Sequence, residues 1–252
     1  MFKQIATFLC IVFSAASFGQ IDTTMTGEEK WKKRMEENYE LYVRKVKFQK
    51  ESTPWLDIHF GLNNWLRGDH SFPQNAESAE VFRSWAWKFG VGYKKRFDKK
   101  PFVLQYGLQV SVHRIGLEGE SMLQKTSAGT FIGSDPSLDV QRSQVVVSYL
   151  NLPLMFHLDL SPYGIDKGFT LGVGGEVGVR VNGYQRQHVI DETGDRMKIK
   201  SSGEYNFSRF RYGPAVQVGY KKTKVSVGYD MNPVFQDGPQ NHFVYCLVGL
   251  VF

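Results

Sequence analysis

The side chains that could do chemistry in this chain are few and widely spaced. Lys88, Glu176 and Arg211 are charges set in apolar or glycine-rich stretches; His59, His113 and His157 recur in similar stretches, with Asp57, Asp159 and Ser111 in the same phase. Two cations around one carboxylate suit a buried ion network, whereas imidazole with carboxylate suits a metal ion or an acid/base pair. Ser111 with His113 would suit ester hydrolysis, provided a substrate could reach them. No G-x-S-x-G occurs. The glycines of G-V-G-G-E-V-G, Gly172 to Gly178, follow a two-residue period and do not open a helix, so they make no phosphate loop. What the remaining groups can do depends on which face of which element carries them.

The elements are strands. From Gly168 to Asn182, one phase is Phe169, Leu171, Val173, Gly175, Val177, Val179 and Val181. The other is Thr170, Gly172, Gly174, Glu176, Gly178, Arg180 and Asn182. Successive strand side chains point to opposite faces, so one face is bulky and apolar and the other small and polar. A soluble sandwich would bury the bulk and expose charge. A membrane barrel turns the bulk to lipid and encloses a polar lumen. Seven more stretches alternate in this way: Trp55 to Trp65, Phe82 to Arg96, Leu104 to His113, Gln144 to Leu160, Phe207 to Lys221, Val225 to Asn232 and His242 to Phe252. Pro153 cannot donate to a ladder and predicts a bulge or a local break in the fourth strand.

Connection lengths alternate too. Short turns at Phe97 to Pro101, Ser161 to Lys167 and Lys222 to Lys224 follow strands two, four and six. Long loops at Leu66 to Val81, Gly116 to Ser143, Gln185 to Asn206 and Pro233 to Asn241 follow strands one, three, five and seven. The fold predicted is all-β: an eight-stranded antiparallel up-and-down transmembrane β-barrel, with short turns and both chain ends in the periplasm. Measured from the short turns, Lys88, Glu176 and Arg211 fall at similar heights, about eight to ten residues up. A charge facing lipid near the midplane costs about 2 to 4 kcal/mol, so these three turn inward, as a structural lumen network or along a small-solute path. His59 and His157 sit low and His113 high, which is poor spacing for a metal or catalytic site. Neither a metal nor another cofactor is expected.

The chain starts with an export pattern over residues 1–19. Lys3 precedes an apolar run from Ile5 to Phe13, and Ser17-Phe18-Gly19 offers a small-x-small cleavage site before Gln20. Residues 20–53 form a predicted periplasmic helical arm. Thr26 and Glu29 make a capping box, and Trp31, Met35, Tyr39, Tyr42 and Val46 form a stripe that is either solvated or docked on a rim, leaflet or partner. Pro54 ends the arm, and the barrel occupies 54–252. Aromatic residues at 14%, 25 glycines and two cysteines describe a β-rich chain with no disulfide framework, Cys246 standing alone once the leader is lost. The formal charge of +6 sits partly in lysine-rich turns and comes with no nucleic-acid motif, so no nucleic-acid partner is expected.

The segment Tyr149 to Leu154, Y-L-N-L-P-L, followed by the glycine-rich strand at Gly168, by R-Y-G-P-A-V-Q-V-G-Y and by a terminal aromatic, resembles the PorT-like outer-membrane β-barrel domain family of Bacteroidetes. The resemblance implies an eight-stranded barrel in a Gram-negative outer membrane, sometimes associated with secretion machinery. It carries over no catalytic residues. Phe252, Leu250 and Val248 form an apolar alternating end that resembles the signal read by outer-membrane assembly machinery. The expected role is a non-enzymatic structural or interaction barrel. Its partners would be outer-membrane lipid, the assembly machinery and a protein bound through the arm or long loops. The alternatives are a narrow channel or solute binder and, behind these, a lipid-modifying enzyme.

Overall fold

The computed structural model describes residues 29, 31–37, 52–73, 78–97, 100–126, 129–134, 139–161, 164–190, 195–202 and 205–252. The expected leader lies outside them, as do Thr26, Tyr39, Tyr42 and Val46 of the arm. The chain divides into two compact units, Met1–Lys47 and Phe48–Phe252. In the first, Glu29 and 31–37 are helical, and Trp31 and Met35 are less exposed than the charged residues around them. That is the start of the amphipathic pattern. No helix among the described residues is long and apolar enough to cross a membrane.

Among the described residues the second unit has eleven strands: β1 Ser52–Arg67, β2 Ala79–Arg96, β3 Phe102–Leu117, β4 Met122–Thr126, β5 Gly129–Gly133, β6 Asp139–Asp159, β7 Phe169–Ile190, β8 Arg196–Ser202, β9 Phe210–Tyr220, β10 Thr223–Tyr229 and β11 Asn241–Val251. This is more than the eight strands expected. The three extra strands lie in the long connections, where β4 and β5 form a separate hairpin and β8 pairs with the far half of β7. Loop residues with their own backbone pairing satisfy donors and acceptors that water would otherwise have to meet. The other eight pair antiparallel in the order β1, β2, β3, β6, β7, β9, β10, β11, and β11 pairs back with β1. Each of the eight therefore has a partner on both sides. β1 begins at Ser52, so Ser52 and Thr53, expected in the arm, are strand residues opposite Lys95 and Lys94, and Pro54 lies within β1 opposite Tyr93.

Two irregularities shape the ring. At Pro153 the β3–β6 ladder skips from Tyr106–Leu154 to Gln109–Asn151 without changing register, because a ring nitrogen has no proton to donate. At Val181 the β6–β7 register shifts, with Tyr149 opposite Arg180 but Ser148 opposite Asn182. Two residues then oppose one, and the side-chain phase inverts beyond the bulge. Asn182, expected inside, is exposed, Arg180 is only half-buried, and Gln185 and Gln187 become the buried phase.

Ile58, Phe60, Leu152, Leu154, Val177 and Leu250 are exposed around the outer wall, while the alternate phase is buried. Inward glycines have a specific use. Trp55 lies across β2 and β3 with its Nε1 donating to the Tyr106 carbonyl at 3.2 Å. A Cβ at Gly90 would fall 2.6 Å from Trp55 Cζ3 and 2.6 Å from Asp57 Oδ1. His157 opposes Gly172, His59 opposes Gly249 and Tyr245 opposes Gly228 in the same manner. At the long-loop end an apolar cluster closes the interior. Trp65, Ile115, Val147, Phe207 and Phe243 meet Leu123 and Ile132 of the β4–β5 hairpin and Val234 and Phe235 of the β10–β11 connection.

Overpacking of such a site costs about 1 to 3 kcal/mol. Gly90→Val should therefore lower the temperature at which the folded band is lost in semi-native electrophoresis. Adding Trp55→Ala should recover part of the loss. Equal losses in the single and double variants would mean that Gly90 is not the seat of the indole.

A buried ion network as the candidate functional site

Strands β2, β7 and β9, with Asp230 just beyond the end of β10, bring four charges to one level inside the ring. Lys88 Nζ donates to Glu176 Oε1 at 2.5 Å and Oε2 at 2.7 Å. Arg211 Nη2 lies 3.5 Å from Glu176 Oε2 and donates to Asp230 Oδ1 at 2.6 Å. The three residues singled out by phase and height thus meet. Asp230, in the inward phase of the seventh predicted strand, is the fourth member. Two cations balance two carboxylates, as burial demands, since an unpaired charge in so dry a place is very costly. Exposures of 1% for Lys88, 6% for Glu176 and 2% for Arg211 show how little solvent reaches them.

Aromatic rings complete the surroundings. Lys88 Nζ sits 3.8 Å from the centre of the Tyr245 ring, and the Arg211 guanidinium sits 5.2 Å from that of Tyr149. Ring faces attract cations, most strongly where the cation is shielded from solvent as Lys88 and Arg211 are. Their role was hidden in the sequence because Tyr245 belongs to an unusually apolar inward phase, for which a polar lumen offers no reason.

Ser111 and His113 do adjoin this network, in a geometry that occupies both. Arg211 Nη1 donates to Ser111 Oγ at 3.1 Å, and Asn151 Nδ2 donates to the same oxygen at 2.9 Å. Arg211 Nη1 also lies 2.7 Å from His113 Nε2, and His113 Nδ1 lies 3.2 Å from Asn63 Oδ1. A guanidinium has only protons to offer, so Nε2 accepts and Nδ1 carries the ring proton to Asn63. The imidazole is stacked on Phe243, 4.8 Å between centres. No free basic nitrogen faces the serine.

The other histidines lie elsewhere. His59 Nε2 is 3.3 Å from Asp57 Oδ2, and His157 is buried against Gly172. Among the described residues no group of three or more histidine, cysteine, aspartate or glutamate side chains could hold a metal. Cys246 is a free, outward-facing thiol.

A second ion cluster sits at the short-turn end, where Asp166 is held at φ 58° between Gly164 and Gly168. Its carboxylate bridges Lys94 and Lys224, the latter at 3.0 Å. Its N–H donates to Asp159 Oδ2 at 3.0 Å, and that oxygen also accepts from Arg96 Nη2 at 3.0 Å. Lysine-rich turns and inward Lys94 were visible in the sequence; that one turn aspartate gathers them was not. Burial alone would raise the Asp166 carboxyl, but Lys224 and Lys94 beside it hold it below the ordinary carboxylate value.

Removing one member of a buried pair costs about 3 to 5 kcal/mol, whereas replacing both by apolar groups is far milder. Glu176→Leu should therefore lower the unfolding temperature markedly. Lys88→Met combined with it should recover most of that loss, and simple additivity in the same electrophoretic assay would refute the pairing energy. The depressed Asp166 carboxyl stabilises the fold fully above the unfolded value of 3.8, and that stabilisation is lost as pH falls through the lower folded value. In urea titrations, the advantage of the wild type over Asp166→Asn should shrink from about pH 7 to about pH 3. A constant difference would contradict it.

No curated protein matches the chain. Residues 52–233 match the outer membrane protein beta-barrel domain family, from the start of β1 to just beyond β10. The outward apolar wall, the ring of antiparallel pairing and the enclosed charges are the features such a domain requires of a bilayer-spanning sheet. This chain belongs to the outer membrane protein beta-barrel domain family and is an integral outer-membrane barrel protein.

Proposed function

We propose that this barrel is a structural or interaction protein of the outer membrane, with a sealed lumen and no catalytic activity. The observation that carries the reading is the occupied interior: the balanced Lys88–Glu176–Arg211–Asp230 network lies beneath the apolar cluster of Trp65, Phe235 and Phe243. A water path would have to displace both. Ser111 and His113, the strongest enzyme candidates, are engaged by Arg211 and face away from lipid.

Within this reading, the ring spans the bilayer with its short turns and both chain ends in the periplasm. The long connections, with the β4–β5 hairpin and β8, face outside and present the surface on which specificity is built. Phe252, Leu250 and Val248 lie on the lipid face of the last strand and serve its recognition by the assembly machinery. The segment Tyr149 to Leu154 supports a PorT-like member of the family. On that basis the arm at 20–53 or the long loops contact a protein of a secretion or envelope complex.

The full chain in planar bilayers should give no reproducible single-channel steps. Affinity isolation from native membranes should recover a protein partner that is lost when residues 21–52 or the long loops are removed. Stable unitary conductance would favour the channel reading instead, and unchanged recovery from both deletions would remove the partner-binding role.

A further inference from the structure

Beyond the Val181 bulge, the inverted phase of β7 turns Tyr184, Arg186 and His188 to the outer wall while Gln185, Gln187 and Val189 are buried. Cross-strand pairing extends this face in rows. Trp85, Arg114, Val146, Tyr184 and Ser202 are successive partners across β2, β3, β6, β7 and β8. Next come Gln144, Arg186 and Lys200, then Arg142, His188 and Lys198. Each row lies about 7 Å further from the short turns. The wall therefore passes from aromatic to cationic within two rows.

The aromatic row is tied to the cations. The Arg114 guanidinium lies 5.1 Å from the centre of the Trp85 ring and Lys200 Nζ 4.3 Å from that of Tyr184. His188 lies between Arg142 and Lys198 across the ladder, one row beyond Arg186. None of these groups makes an ion pair with a carboxylate among the described residues; Arg83 is the nearby exception, held to Glu80 at 2.7 Å. Beside the wall, Arg83, Arg142, His188 and Arg196 line a cavity of about 310 Å³.

Like charges on neighbouring strands destabilise a sheet unless an anion lies among them. Aromatic rings of membrane barrels mark the boundary between hydrocarbon and headgroups, so cations one and two rows beyond it stand at headgroup depth. We propose that this wall of β3, β6, β7 and β8 binds the phosphate groups of outer-leaflet lipid, using Arg114, Arg142, Arg186, Lys198 and Lys200. Tyr184 and Trp85 flank the sugar or glycerol portion of the headgroup. The inference rests on the long-loop end lying outside, as proposed above.

The test uses the folded full chain in phosphatidylcholine vesicles, with and without lipid A carrying phosphate or the same lipid after dephosphorylation. Lipid retained by the protein is counted by native mass spectrometry. The wild type should retain the phosphorylated lipid at least tenfold more than the dephosphorylated one, and retention should fall with added salt. The triple variant Arg142→Glu, Arg186→Glu, Lys198→Glu should lose this preference. Salt dependence of the wild type alone tests the proposal if the variant does not fold. Equal retention of the two lipids, retention unaffected by salt, or full competition by millimolar inorganic phosphate would overturn the assignment. Orientation is read separately, by labelling Glu120→Cys in a Cys246→Ser background with an impermeant maleimide on intact cells. An unlabelled loop would overturn the outward placement while leaving the vesicle result to stand or fall by itself.

Discussion

Every backbone N–H and C=O in the bilayer must find a partner within the sheet, and the rest of this structure follows from how that requirement is met. The ladder runs from β1 through β2, β3, β6, β7, β9 and β10 to β11, whose residues Asn241 to Val251 pair again with β1. With no water in hydrocarbon to satisfy an open edge, a ring of pairing is the stable solution for strands. Even Phe252 contributes, exchanging backbone hydrogen bonds with Leu56 at 2.8 and 3.1 Å.

A ring of eight strands is narrow, and its interior has to be filled by the side chains it encloses. Large inward groups therefore face glycine across the ladder: Glu176 opposite Gly213, Lys224 between Gly219 and Gly249, Asn151 and Arg211 on either side of Gly178. The pattern explains why one strand phase combines glycine with charge. It also explains why the central network pairs Lys88 and Arg211 with Glu176 and Asp230, because little solvent reaches these groups to screen an imbalance. The two ion clusters and the apolar cap are successive layers of the same filling, ordered from the short turns to the long connections.

The long-loop end differs in kind. There β7 continues past the bulge and acquires β8 as a second partner, so the sheet projects beyond the ring's filled interior. The same one-residue irregularity that moves Asn182 out of the buried phase also gathers arginines and lysines from β3, β6, β7 and β8 on one outward face. Local backbone geometry thus decides whether a polar residue joins the buried network or the surface where the barrel meets its surroundings.

Much of this was legible in the residues. The two-residue period of Phe169 to Val179, the bulk at Leu150 to Leu158 and the alternation of short and long connections determine strands, faces and the level shared by Lys88, Glu176 and Arg211. Those features depend on local chain geometry and on the sign of hydrophobicity, which a linear sequence carries. Other features required the folded molecule. The Val181 bulge, the hairpin and β8 inside the long connections, Asp230 and Asp166 as counter-ions, and the engagement of Ser111 and His113 by Arg211 all depend on distances between residues far apart in the chain. Periodicity assigns a side chain to a face; only register and packing across neighbouring strands decide what it touches there.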